Sequence, residues 1–199
     1  MDRLENIKTN TFEDVIGIME NDDLKCFALD IIKIIPDYFY HVGASSSGKY
    51  HPQYALGEGG LYRHTLALVR ILNYFFEIEC MKNNYTTRER DLLRIAGMMH
   101  DSFKSGTQAD YESNHHTKFE HPLIAADKIE NYYKNNKDKY STIKEEEIKL
   151  ICDVIKSHMG QFCTSQYSTV VLPKPHTKYE TLLHMCDYLA SRKDIEIHF

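Results

Sequence analysis

The segment RIAGMMHDSFKSG, residues 94–106, places an adjacent histidine and aspartate at the end of an apolar run. The apolar run is typical of a helix that enters a protein core, whereas His100 and Asp101 both carry ionisable side chains. Burying such groups is unfavourable unless other side chains or a cation pair with them. The rest of the chain must therefore supply partners for this pair, and Lys104 is the nearest charged candidate.

The composition is that of a globular protein with an acidic charge balance. The chain has 199 residues, of which 42% are hydrophobic, and a formal net charge of −5. This length predicts a single domain over residues 1–199. The charge argues against a broad basic nucleic-acid surface, although a local positive cleft remains possible.

The sequence also predicts the cellular compartment of the protein. No apolar run is long enough to cross a bilayer, and the start MDRLENIKTN has no signal-peptide core, so we expect no membrane association. The five cysteines form no C-x-x-C pair, which favours a reducing, cytoplasmic setting.

Apolar residues recur with a helical period along most of the chain, which predicts an all-α fold. Thr-x-x-Glu capping boxes at Thr86, Thr142 and Thr177 mark three helix starts. The segment VVLP, residues 170–173, is the one candidate for extended structure. Helices are expected near residues 12–20, 22–35, 61–79, 88–101, 120–136, 144–159 and 177–192. Long loops are expected at residues 41–60, 102–118 and 160–176, and loops of this length are usually functional or disordered.

Four ionisable residues lie on the predicted apolar faces of separate helices: His64, His100, His158 and Asp187. His158, for example, follows Ile151 and Ile155 at helical spacing. A single inward histidine is usually a hydrogen-bonded core residue, but an inward aspartate needs a cation or several donors. Imidazole and carboxylate groups that converge from several helices indicate a metal site in a helical bundle.

The order of these residues resembles the signature of the HD superfamily of metal-dependent phosphohydrolases, which has an all-α fold. The resemblance covers about residues 55–192, with helices in 12–35 expected to pack on this HD-domain helical bundle. It implies that one metal ion is bound by His64, His100, Asp101 and Asp187. In the dinuclear members two further histidines hold a second ion, and His121 and His158 occupy the matching places.

Local similarity is greatest to the HD domain of bacterial 3′→5′ exonucleases, through EGGLYRHTLAL, SHMGQF and LLHMCDYLASR. Two departures from other members are visible. The histidine–aspartate pair is often followed by a small residue and a glycine before the lysine, whereas here Ser102 and Phe103 precede Lys104. Some subfamilies carry paired histidines where this chain has His158-Met159, which argues against the paired-histidine cyclic-dinucleotide branch.

The expected chemistry is phosphoester hydrolysis with Asp101 and Lys104 as catalytic residues. Asp101 is expected to bridge two divalent ions, which together lower the pKa of a shared water to give a metal-bridging hydroxide. Lys104 is expected to contact the phosphate, the alternative being a solvated loop lysine. Histidine and carboxylate ligands suit Mn, Fe, Co, Ni, Mg or Zn, so the sequence does not name the metal.

Several residues near the predicted ligands are candidate substrate contacts: Arg63, Ser47, Lys49, His115, His116 and Lys118. The segment GASSSGKY, residues 43–50, nearly meets the Walker A pattern, but Tyr50 follows its lysine and a helix precedes it, so we exclude a P-loop. These six residues contact substrate or are simply exposed to solvent. Arg192 is interpreted as solvated, and the remaining histidines show no pattern that assigns them a role.

The leading hypothesis is a phosphodiesterase or 3′→5′ exonuclease-like enzyme acting on a nucleotide or single-stranded nucleic acid. The first alternative is a nucleotide phosphatase or dNTP triphosphohydrolase. The second is a nucleotide-sensing HD module without turnover, and the third is a single-metal enzyme in which His121 and His158 only line the pocket. The sequence leaves the substrate and the oligomeric state open.

Overall fold

The computed structural model describes residues 12–45, 48–195 and 197. In these residues the chain is helical and contains no named strand, which confirms the all-α prediction. Within the same ranges no helix has the length and apolar character needed to cross a membrane. The α-helices are α1 (Glu13–Gly17), α2 (Asp22–Ile31), α3 (Gly60–Glu77), α4 (Glu79–Lys82), α5 (Thr87–Met99), α6 (Gln108–Ser113), α7 (His121–Asn135), α8 (Glu145–Ser157) and α9 (Lys178–Ala190).

The five long helices α3, α5, α7, α8 and α9 begin and end within two residues of the predicted bounds. Two of the predicted capping boxes form at their starts. Thr86 Oγ1 accepts a hydrogen bond from Glu89 N at 3.2 Å, and the Thr86 amide donates to the Glu89 carboxylate at 2.7 Å. Thr177 and Glu180 make the same pair at the start of α9. Local capping therefore fixes where the site-bearing helices α5 and α9 begin.

The predicted box at Thr142 is wrong. The helix α8 starts at Glu145, and the amide of Lys144 donates to the Glu147 carboxylate at 2.8 Å. The Thr142 hydroxyl instead donates to Asp23 Oδ2 at 3.0 Å. A tertiary partner thus competes successfully for a side chain that the local pattern assigned to a cap.

Three further differences concern short elements. The helix α6 was not predicted; Thr107 and Asp110 form a capping box at its start. Residues 170–173 have no strand partner, and the one bridge in the described residues joins Ser165 to Ser168. The predicted helix over 12–20 is shorter than expected, as α1 ends at Gly17.

The long helices pack around the segment that ends in the histidine–aspartate pair. The helix α5 contacts α3, α8 and α9, and α7 packs on α8. A Cβ atom at Gly97 would lie 3.0 Å from Leu68 and 3.1 Å from Val69, so glycine permits the close approach of α3. One cluster of buried apolar side chains extends from Phe12 to Ala190. Residues distant in sequence therefore meet at the C-terminal end of α5.

Candidate metal centre

The six predicted ligands come together from five helices. His64 lies on α3, His121 is the first residue of α7, and Asp187 lies on α9. His100 and Asp101 directly follow α5, and His158 directly follows α8. All of them except Asp187 are at most 2% exposed, and the Asp187 side chain is 19% exposed. The helix ends and inner faces that the sequence singled out thus form one buried cluster.

The carboxylate of Asp101 lies between two pairs of histidines. Its Oδ2 is 3.6 Å from His100 Nε2 and 4.0 Å from His64 Nε2. Its Oδ1 is 2.9 Å from His121 Nε2 and 3.6 Å from His158 Nε2. Two potential metal-binding groups therefore share this one aspartate.

Asp187 joins the first of these groups. Its Oδ1 lies 2.9 Å from His64 Nε2 and 3.7 Å from His100 Nε2. The first group thus has two histidines and two carboxylates, and the second has two histidines and the other oxygen of Asp101. This division matches the one-metal and two-metal ligand sets that the family resemblance implies.

Three of the imidazoles have their orientation set by backbone carbonyls. His100 Nδ1 donates to the Gly97 carbonyl at 2.8 Å, His121 Nδ1 to that of Lys118 at 2.7 Å, and His158 Nδ1 to that of Ile155 at 2.7 Å. A proton on Nδ1 leaves the lone pair on Nε2, which faces the centre. Such hydrogen bonds orient the histidine ligands of metal sites.

Buried polar atoms in the centre test whether the residues fit a metal. His100 Nε2, His121 Nε2 and Asp101 Oδ1 are buried and make no hydrogen bond, although the last two lie 2.9 Å apart. Unsatisfied buried polar atoms are rare in proteins because each one costs desolvation free energy. Divalent cations accept these imidazole nitrogens and carboxylate oxygens as ligands, so the residues fit a metal site.

The protonation states of the two carboxylates and of His100 also suit metal binding. Burial alone would raise the pKa of Asp101, but the Lys104 ammonium 2.5 Å away and His100 outweigh it and hold this pKa well below its usual range. Burial would likewise raise the pKa of Asp187, and the hydrogen bond from His64 reverses the shift. Burial lowers the pKa of His100 to about 4. Near neutral pH the carboxylates are ionised and His100 is neutral, as metal ligation requires.

The centre opens to solvent through a cleft of about 160 Å³, which Lys104 also lines. Three further lining residues have basic side chains to which the sequence assigned no role in the site: His51, His184 and Arg192. The His51 ring packs against that of His64 with 5.7 Å between centroids. Of these, only His184 could have been predicted from the sequence to lie near the centre, because it precedes Asp187 by three positions on the same helix face.

Two of the predicted substrate contacts are engaged with the protein itself. The Arg63 guanidinium donates to the carbonyls of Tyr54, Leu56 and Glu58 at 2.6, 3.0 and 2.9 Å. Lys118 Nζ pairs with Asp110 Oδ1 at 2.7 Å, while its carbonyl orients His121. Both residues therefore support the site from outside the cleft.

Three of the other predicted contacts, Lys49, His115 and His116, do not line the cleft. His115 and His116 are exposed, and the His115 ring packs against Tyr111 with 4.5 Å between centroids. Lys49 is exposed, and Ser47 lies outside the described residues. Substrate contact by the six candidates (Arg63, Ser47, Lys49, His115, His116 and Lys118) stays a prediction.

An all-α bundle that gathers histidines and aspartates from several helices at a buried centre is the arrangement of helical metalloproteins. The family model for the HD domain matches residues 61–192. The chain therefore belongs to the HD-domain family, whose members are mostly metal-dependent hydrolases. Comparison with curated proteins and with solved structures gives no match for this chain.

Proposed function

We propose that this chain is a metal-dependent phosphohydrolase that binds two divalent ions. His64, His100, Asp101 and Asp187 would hold one ion, and Asp101, His121 and His158 the other. One observation carries the proposal: the two carboxylate oxygens of Asp101 face different pairs of histidines. A single-metal site is less favoured because His121 Nε2 is buried in the centre without a hydrogen bond.

When bound, divalent ions supply Lewis acidity toward phosphate oxygens and lower the pKa of water. The chain's own residues prepare the site for this chemistry. The two carboxylate oxygens of Asp101 face the two proposed ion sites. The imidazoles whose Nδ1 donates to a backbone carbonyl keep Nε2 directed toward the centre. Lys104, whose ammonium lies at the cleft 2.5 Å from Asp101 Oδ2, would donate to a non-bridging phosphate oxygen. This donation would offset negative charge that builds up in the transition state.

The proposed reaction is phosphodiester hydrolysis in a nucleotide or single-stranded nucleic acid, as in a 3′→5′ exonuclease. The similarity of three local segments to the HD domain of those exonucleases supports it. A nucleotide phosphatase or dNTP triphosphohydrolase is the second candidate. The small cleft and the net charge of −5 support that candidate, because grooves that track a nucleic-acid backbone are normally basic. A sensing module without turnover is less favoured, since all six ligands are present.

A substrate panel tests the proposed activity. The full chain is assayed with Mn²⁺, Mg²⁺, Co²⁺ or Ni²⁺ on single-stranded DNA and RNA, cyclic nucleotides, dNTPs and nucleoside monophosphates. We expect hydrolysis of at least one substrate, reduced roughly 100-fold or more in Asp101→Asn because the shared ligand is weakened. Asp153→Asn changes an aspartate on the surface of α8 and should retain activity. Activity that persists in Asp101→Asn would refute the mechanism.

Metal analysis tests the number of ions separately. Elemental analysis of the purified protein should give about two divalent ions per chain, as in other two-metal sites. His121→Ala should retain about one ion and lose most activity, because His64, His100 and Asp187 stay in place while the second group is broken. One ion per wild-type chain together with unchanged activity in His121→Ala would contradict the dinuclear site.

A further inference from the structure

The Arg192 side chain lies at the rim of the cleft with its guanidinium over two aromatic rings. Its guanidinium carbon lies 4.4 Å from the centroid of the Tyr188 ring and 5.6 Å from that of Tyr50. The Tyr50 carbonyl accepts a hydrogen bond from Lys193 N at 2.9 Å, which ties this loop to the end of α9. Stacking on aromatic faces restricts an arginine without using its hydrogen-bond donors.

Most donors of this guanidinium are available to a ligand. Within residues 12–45, 48–195 and 197, its side-chain hydrogen bonds run from Nε and Nη2 to Ser191 Oγ at 3.3 and 2.9 Å. No carboxylate oxygen of that part of the chain lies within 4.0 Å of it, whereas Arg88 and Arg94 are paired with aspartates. A guanidinium has five N–H donors and is always charged. Arg192 is therefore a preorganised cation with spare donors.

The size of the cleft determines what reaches this arginine. At about 160 Å³ the cleft is smaller than the roughly 300–1,000 Å³ that enclose a whole small-molecule ligand. It has room for the reacting group beside Asp101 and Lys104, while the rest of a substrate must extend along the rim. Arg192 and Tyr188 line the cleft at the end of α9. A substrate that extends from the metal centre toward the end of α9 therefore meets the unused N–H donors of Arg192.

We propose that Arg192 is a specificity-determining residue that binds a second phosphate group of the substrate. The planar fork of arginine matches two phosphate oxygens at once, and its weak hydration suits such recognition. The substrate class is then a compound with two phosphates, either successive in a nucleic-acid strand or joined in a nucleoside polyphosphate. This inference rests on the proposed function for one step, which is the binding of a first phosphate group at the metal centre.

The test measures binding to the Mn²⁺-loaded full chain by calorimetry. Thymidine 3′,5′-bisphosphate represents a strand, α,β-methylene thymidine triphosphate represents a polyphosphate, and thymidine 5′-monophosphate has one phosphate. At least one two-phosphate ligand should bind about 10- to 100-fold more tightly than the monophosphate, the range expected of charge-assisted hydrogen bonds. Arg192→Ala should remove most of this advantage. The ligand that shows the advantage identifies the source of the second phosphate.

Two control variants separate this role from a general charge effect. Lys193→Ala removes an exposed positive charge one residue away, outside the cleft, and should keep the full advantage. Arg192→Lys keeps the charge but loses the planar fork, so it should retain only part of the tighter binding of the two-phosphate ligand. If Arg192→Ala does not fold, Arg192→Lys takes its place in the test. An unchanged advantage in the Arg192 variants, or none in the wild type, would overturn the inference.

Hydrolysis is measured in parallel, so the two proposals fail in different ways. A wild-type chain that hydrolyses no phosphoester, yet binds two-phosphate ligands in an Arg192-dependent way, contradicts the proposed function and supports this inference. Turnover that is equally efficient in Arg192→Ala for every two-phosphate substrate supports the proposed function and contradicts this inference.

Discussion

At the scale of single residues, the orientation of two candidate ligands is a consequence of where their helices end. The last carbonyls of an α-helix have no partner within the helix. His100 and His158 follow the last residues of α5 and α8, so each Nδ1 can donate to a carbonyl three positions earlier. Helix termination and ligand orientation are therefore one feature of the sequence.

Gly160 shows how tightly the turn after α8 is packed. Its φ is +55°, and a Cβ atom there would lie 2.1 Å from His184 Cε1. His184 Nδ1 donates to the His158 carbonyl at 2.7 Å, so the same side chain also supports a candidate metal ligand. We expect Gly160→Ala to lower the free energy of unfolding by about 1–3 kcal/mol and to weaken metal binding. Urea denaturation and calorimetric titration with Mn²⁺ measure the two effects.

Gly17 provides the matched control for this substitution. Nothing lies within 4 Å of a Cβ atom at Gly17, and its φ is not positive, so Gly17→Ala should change neither quantity much. His184→Ala in the Gly160→Ala background removes the clash, so its difference from His184→Ala alone should be only the cost of the positive φ. Equal stability and metal affinity in Gly160→Ala and wild type would contradict this account.

At the scale of helices, the sequence predicted the elements whose apolar stripes are long. The stripe of α8 and the capping boxes of α5 and α9 act locally, so their signals are visible in a few consecutive residues. The helix α6 has no apolar stripe and begins at the Thr107–Asp110 capping box, in which aspartate replaces the glutamate of the Thr-x-x-Glu pattern. The error at Thr142 has another cause, because its hydroxyl finds Asp23 across 119 residues of chain.

Asp91 connects the N-terminal helices to α5 and is fully buried. Its Oδ2 accepts hydrogen bonds from the amides of Glu20 and Asn21 at 2.8 and 2.9 Å, and its Oδ1 accepts from Arg94 Nη1 at 2.7 Å. Asp91→Ala leaves these donors and a buried cation without a partner. We expect the free energy of unfolding to fall by about 3–5 kcal/mol, as measured by urea denaturation.

The control for this substitution is Asp153→Ala on α8. Asp153 pairs with Lys149 at the surface, where its side chain is 36% exposed. Exposed pairs contribute little, so this variant should lose at most about 1 kcal/mol. A loss in Asp91→Ala no larger than that in Asp153→Ala would show that the buried network does not hold the N-terminal helices in place.

At the scale of the whole molecule, the clustering of the candidate ligands could be predicted from the sequence, but the residues at the rim of the cleft could not. The ligands lie on apolar faces or at helix ends, which the sequence displays directly. His51 lines the cleft, and the neighbouring Tyr50 carbonyl accepts a hydrogen bond from the amide of Lys193, which is 143 positions later in the chain. No local pattern encodes such a contact, since it depends on the packing of the complete bundle.

Because the ligands come from five helices, metal binding should stabilise the entire fold. A ligand that binds only the folded chain adds about 4 kcal/mol at a thousandfold excess over its Kd. For a chain of this size, about 2–4 °C in Tm per kcal/mol gives a rise of roughly 8–16 °C. Scanning calorimetry of the chelator-treated protein with and without Mn²⁺ measures the rise. An Asp101→Asn chain that gains as much would show that the ion binds elsewhere.

The rise in Tm should depend on pH through His158. Burial alone would lower the pKa of His158, but Asp101 outweighs it and raises this pKa, whereas burial holds that of His100 at about 4. The pKa of His158 is therefore higher in the metal-free folded chain than in the unfolded chain, where it is about 6.5. Protonation of His158 stabilises the metal-free fold below about pH 6.5, and this contribution is lost as the pH rises. The same proton competes with the metal for Nε2. The Mn²⁺-induced rise in Tm should therefore be smaller at about pH 5.5 than at about pH 7.5, and equal rises would contradict ligation by His158.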